Sequence, residues 1–192
     1  MKLKVFLFLV AAVAWPAFRT TAQSVYTTNT GHISFFSKAP IKDVDAQNEK
    51  ARIGLNVSSG ELTIDMAMKD FKFKSGKMGR DAQKSYLETD KFKVASFKGK
   101  IKGDVDYHKA GTYQTTVTGK LKIHGVEKEV TEKGTVTVNA GKITLKSEFH
   151  VQLKDYNVET PKILGKEMAG ESVLVTVSTV LSGPEKKISS KK

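Results

Sequence analysis

Residues 117–130 read VTGKLKIHGVEKEV, and this run decides how the rest of the chain is read. Up to Ile123 it alternates strictly, with Val117, Gly119, Leu121 and Ile123 on one side and Thr118, Lys120 and Lys122 on the other. Successive side chains of a strand point to opposite faces, so this is a strand with one dry and one wet face. The alternation breaks at His124-Gly125, and a second strand is expected to resume at Val130 with Val136 and Val138 in phase. Two alternating runs joined by a short Gly-containing link predict a β-hairpin.

The same period of two extends outward from the hairpin. Phe97, Ile101 and Val105 alternate with Lys98, Lys100 and Lys102. Gly99 and Gly103 fall on the apolar face, where missing side chains permit curvature or leave internal room. Leu62, Ile64, Met66 and Met68 share a face opposite Thr63, Asp65 and Lys69; at Asp70 the phase slips by one, and Phe71 and Phe73 continue. Such a slip predicts a β-bulge or a strand bend. Residues 53–57 alternate as well, and residues 32–37 open the first strand, with Ile33 and Phe35 in phase and Pro40 as its stop. Residues 41–48 are polar and read as a connection or a ragged edge strand. Downstream of the hairpin, residues 143–153 and 173–181 are strands, the last one stopped at Gly183-Pro184. Residues 78–87 contain no β-branched side chain and predict a short helix, with Met78, Ala82 and Leu87 on its apolar face. Residues 163–169 are a candidate second short helix.

About eight strands with short links predict an all-β, antiparallel, up-and-down barrel carrying one or two short helices. A β-sandwich shows the same alternation and stands as the structural alternative. Barrels of about eight strands either fill their interior with side chains or hold one small ligand, as lipocalins do.

The chain has 192 residues, 39% of them hydrophobic, and no Cys. Lys2 and Lys4, the apolar run 5–14 and the small residues Thr20-Thr21-Ala22 describe a secretory signal over residues 1–22, cleaved near Ala22. The apolar run is too short to span a bilayer. A periplasmic or secreted location follows as an expectation, with a barrel domain over residues 23–183 and a basic tail over residues 184–192 that carries four Lys and is expected to be disordered. Without Cys, an exported domain is held by its core alone, and thiol chemistry is excluded. The net charge of +12 is almost all Lys; beyond the leader only Arg52 and Arg80 remain. Nucleic-acid readers favour Arg for its bidentate contacts, so the charge reads as a solvated surface with at most weak attraction to anionic membranes, and no nucleic-acid partner is expected.

With these elements in place, the residues resemble a known family. Gly119-Lys120-Leu121-Lys122-Ile123-His124-Gly125-Val126 followed by Val130 is similar to the "G-x-L-T-I-H-G-V-x-x-x-V" signature of the YceI-like lipid/polyisoprenoid-binding family. Gly31-His32-Ile33-Ser34-Phe35 resembles its opening strand. Tyr86-Leu87 with Phe97-Lys98-Gly99, and Leu153, Asp155 and Tyr156, resemble two later blocks in the same order. The resemblance covers about residues 26–181. Lys122 replaces the signature Thr, Lys93 stands where the family usually has Pro, and Asp81 or a neighbour stands where many members have His. Membership implies an exported, lipocalin-like barrel whose apolar interior holds an isoprenoid chain of polyprenyl or quinone type.

On alternation alone, Phe35, Met66, Met68, Phe71, Phe73, Phe97, Ile101, Leu121, Ile123, Phe149 and Val151 pack against one another as a core. The resemblance makes the same eleven residues the candidate lining of a ligand pocket. No catalytic constellation is visible: His32, His108, His124 and His150 lack metal-ligand spacing, and no G-x-S-x-G elbow occurs. His124 reads as a turn residue capping backbone groups, and His150 as solvent-facing. Asp104/Asp106 and Glu127/Glu129 are paired only by nearness in sequence. No cofactor, metal or enzymatic activity is expected, and oligomeric state is open. A basic surface module for anionic lipid or polymer, with no internal ligand, is the alternative function.

Overall fold

The computed structural model describes residues 25–38, 43–159, 162–163, 166–167 and 170–183. The signal over residues 1–22, the tail over residues 184–192, Pro40 and Pro161 lie outside them. Among the described residues the strands are β1 (Val25–Ser37), β2 (Val44–Asn56), β3 (Glu61–Ala67), β4 (Lys72–Phe73), β5 (Val94–Lys102), β6 (Gly111–Ile123), β7 (Val126–Asn139), β8 (Lys142–Gln152), β9 (Lys162–Ile163), β10 (Lys166–Glu167) and β11 (Ser172–Ser182). A short helix α1 (Gly76–Asp81) runs on into a wider π turn over Ala82–Tyr86.

Eight long strands follow one another antiparallel in the order β1-β11-β8-β7-β6-β5-β3-β2, and β2 pairs back onto β1. That last pairing closes the sheet on itself, which makes it a barrel and removes the sandwich alternative. Alternation then does the rest: one face of every strand points inward, and the lysine-rich face points to water.

Four local readings need correction. The first strand begins at Val25, well before His32. Residues 44–48, read as a connection or ragged edge, belong to the long strand β2. Their inward side chains, Ala46 and Asn48, are fully buried but small or polar, so no apolar period was visible. Asn48 compensates for its burial by donating to the Ala67 carbonyl (3.1 Å) and accepting from the Lys50 backbone N–H (2.8 Å). The second hairpin strand resumes at Val126 and not Val130, because Glu127, Lys128 and Glu129 stay in the strand while exposed. Within residues 163–169, the described positions form no helix; Lys166 and Glu167 pair antiparallel with Ile163 and Lys162.

The phase slip at Asp70 is a 3-10 turn over Met68–Asp70; before it β3 pairs with β5, and after it β4 pairs with β2 at Ala46. Met68 and Phe71 both stay inside despite the slip.

The β7–β8 ladder is incomplete. It runs from Asn139↔Lys142 to Gly134↔Ser147 and stops there. Beyond that rung, residues 126–133 of β7 pair only with β6, and residues 148–152 of β8 pair only with β11. The two strands part as a fork, with the Ser147 hydroxyl donating to the Lys133 carbonyl (2.7 Å) at its apex.

Candidate functional site

The interior differs from end to end. Near the β7–β8 turn, Leu55, Ile143, Leu181 and Val136 interlock with essentially no exposure. Tyr107, Tyr113 and Val105 pack against the core from the loop after β5 and the start of β6. Burial pushes the Tyr107 phenol up from its ordinary pKa.

At the other end the inward positions are equally apolar but do not fill the space. Phe35, Met66, Phe73, Ile123, Val130, Phe149, Val175 and Val177 pack on the core yet remain partly exposed. The surface they leave faces a cavity of about 810 Å³, partly open to solvent and lined mostly by apolar side chains. All eleven residues of the candidate lining stand on its wall. So do residues that the sequence reading left out although they are in phase, among them Leu62, Ile64, Leu145 and Val177.

Two features of the opening hairpin shape this wall. Gly99 and Gly119 face each other across β5 and β6, and the Phe97 ring lies over both. A Cβ on Gly119 would stand 2.4 Å from the Gly99 Cα and 2.8 Å from the Phe97 ring. The glycine pair therefore lets an aromatic ring lie flat against the backbone. At the tip, His124 (φ +51°) and Gly125 (φ +79°) form a two-residue turn with both residues left-handed, the turn whose twist suits a hairpin.

The turn also holds the segment that covers the cavity. His124 is nearly buried; its Nε2 lies 3.0 Å from a Glu88 carboxylate oxygen, and its ring stacks on Phe92 at 4.1 Å. A carboxylate accepts, so Nε2 carries the proton, and Nδ1 has no hydrogen-bond partner among the described residues. The expected capping role is thus corrected: His124 ties down a side chain of the covering loop and not backbone groups. On the opposite side Gln83 Nε2 donates to the Phe71 carbonyl (3.1 Å). Between these two ties Met78, Ala82, Tyr86 and Leu87 face the cavity as its cover. Phe35 meets the Phe71 ring at a tilt and the Phe73 ring edge-to-face, with ring centroids 5.1 and 5.7 Å apart, beneath α1.

Polar side chains on the wall are few. Lys77 and Asp81 belong to the cover, and Glu159 to the segment after β8. Glu132 projects inward from β7, in phase with Val130 and Val136; parity alone could have found it. Burial raises its carboxyl pKa, with His150 opposing the shift. His150 itself is exposed. Among the described residues no group of three or more His, Asp or Glu side chains is placed to hold a metal ion.

A family model described as "YceI-like domain" matches residues 16–181. Three solved structures share the fold. A polyisoprenoid binding domain from Saccharophagus degradans, implicated in plant cell wall breakdown, is 14% identical with a TM-score of 0.70, over 83% of this chain and 98% of that one. BcnA from Burkholderia cenocepacia is 19% identical with a TM-score of 0.65, over 78% and 95%. The Campylobacter jejuni YceI protein is 15% identical with a TM-score of 0.55, over 78% and 85%. Among curated protein sequences there is no match.

Proposed function

The chain belongs to the YceI-like family, and on that premise we propose that it is an exported binding protein carrying a long-chain isoprenoid lipid, without catalysis, in the hollow end of its barrel. The observation that carries this reading is the row of inward apolar side chains left partly exposed around about 810 Å³ of space. That volume lies in the range of roughly 300–1,000 Å³ typical of small-molecule sites. The solved relative named as a polyisoprenoid binding domain supports the ligand class.

A branched hydrocarbon tail gains from such a site because it leaves water along its length. Each hundred square ångström of buried tail contributes roughly 2.5 kcal/mol before the costs of ordering it. Met66, Met68 and Met78, all on the wall, adapt to irregular shapes such as methyl-branched chains. Exposed lysines keep the exterior soluble, and several are countered, as Lys120 is by Glu127 at 2.9 Å.

Organic extraction of purified protein followed by mass spectrometry tests the reading, together with uptake of a fluorescent prenyl analogue by the delipidated chain. Co-purifying isoprenoid, or saturable uptake nearly independent of salt, is the expected result. No lipid and no uptake would overturn carriage. Binding to anionic vesicles that vanishes at high salt, with no internal ligand, would favour the basic-surface alternative.

A further inference from the structure

An apolar cavity says little about the polar end of its ligand, but the fork between β7 and β8 interrupts the apolar wall. Glu132 sits two residues beyond the last rung, Gly134↔Ser147, and its side chain faces the cavity. No hydrogen bond or ion pair holds its carboxylate among the described residues. The two hydroxyls nearest the apex are already engaged: Thr115 donates to the Gly134 carbonyl at 3.2 Å, and Ser147 to the Lys133 carbonyl. Next to the carboxylate, residues 126–132 of β7 have no partner in the β8 ladder. A second carboxylate, Glu159, also lines the cavity.

We propose that this fork is the headgroup site of the cavity, and that Glu132 selects an isoprenoid whose head is uncharged and donates a hydrogen bond, such as an alcohol, over an anionic diphosphate. The inference rests on the carriage reading and specifies its ligand class. A carboxylate drawn out of water beside Phe149 and Val130 regains a strong, charge-assisted hydrogen bond when a hydroxyl donates to it. A diphosphate brings like charge to the same place and has no proton to give at neutral pH. Partial burial of the carboxyl, which raises its pKa, strengthens both effects because water screens them less. Lys77 on the cover and Lys146 beside the apex, both on the lining, are the cations that would favour a diphosphate instead, so the two heads compete within one cavity.

Geranylgeraniol, geranylgeranyl diphosphate and the matching headless hydrocarbon, titrated against the delipidated full chain near neutral pH, separate these possibilities. The wild type is expected to bind the alcohol about tenfold or more tightly than the diphosphate, as befits one hydrogen bond to a charged group. In Glu132→Gln that ratio should fall to about threefold or less, with thermal unfolding confirming the fold. Equal or tighter binding of the diphosphate by the wild type overturns the inference, as does a ratio that Glu132→Gln leaves intact. Binding of the hydrocarbon in either case leaves carriage standing. Failure of all three probes to bind overturns carriage itself, and the headgroup site with it.

Discussion

The inward face of β11 behaves differently along its length. Toward its C-terminus Leu181 is wholly buried and Thr179 nearly so; toward the middle Val175 and Val177 face the same interior and stay partly exposed. β8 repeats the contrast, with Ile143 buried at one end and the larger Phe149 only partly buried further along. One end of the barrel is a core and the other is a container. The difference lies in how many side chains converge on each level, and hydrophobicity does not set it. At the filled end Leu55, Val136, Ile143 and Leu181 meet across the ring. At the hollow end the ring is prised wider by the β7–β8 fork and is roofed by α1.

Leu181→Ala should break the filled end hardest. Removing a fully packed side chain leaves a cavity that cannot collapse, and a loss of about 2–5 kcal/mol in urea unfolding is expected. Prenyl affinity per folded molecule should not change. Phe149→Ala removes more atoms, yet one side of its ring already faces open space, so its stability loss should stay below about 2 kcal/mol. Its effect belongs to the ligand: affinity should drop on the order of tenfold to a hundredfold in the same fluorescence titration. If Phe149→Ala costs as much stability as Leu181→Ala, the hollow end is in fact packed and the contrast fails.

The cover is the next place to press. At Gly125 a Cβ would stand 2.7 Å from the Phe92 ring, at a φ that side chains disfavour. Gly125→Ala should cost about 1–2 kcal/mol. It should also speed hydrogen exchange over residues 87–93, while the strands at the filled end keep their protection. Uniform loss of protection across the barrel would show that the cover and the core unfold as one unit.

Much of this was legible in the alternation. The hairpin, the phase slip and the short helix follow from period two and from β-branched depletion, whereas it was the family resemblance that made the eleven inward residues a wall and not a packed core. What escaped has physical reasons. The start of β2 was hidden because its inward residues, Ala46 and Asn48, are small or polar and show no apolar period. The restart at Val126 was hidden because Lys128, on the inward parity, is exposed where β7 has no partner on its fork side. Filled and hollow ends could not be told apart at all, since Leu145, Phe149, Val177 and Leu181 share one pattern. That distinction is a property of ring width and cover, which no single strand encodes.

Glu132 gives the smallest and most diagnostic effect. Its carboxyl is raised in the folded state by burial, so the folded chain binds this proton more tightly than the unfolded chain does. Stability contributed by this site therefore increases as pH falls from neutral through its folded pKa, and levels off below the ordinary carboxylate value. That is opposite to Glu127, whose carboxyl is held low by its hydrogen bond to Lys120 and then by that ammonium's charge, and whose contribution is lost on acidification. Glu132→Gln should accordingly raise Tm slightly at neutral pH, with the gain shrinking as the pH is lowered. Gln lacks the charge that the apolar wall resists, and protonation removes the same charge from Glu132 itself. A Tm gain that does not fade in acid would place the carboxylate in water. It would then be neither strained by the cavity nor poised for a hydroxyl, and the fork would be no more than a gap in a sheet.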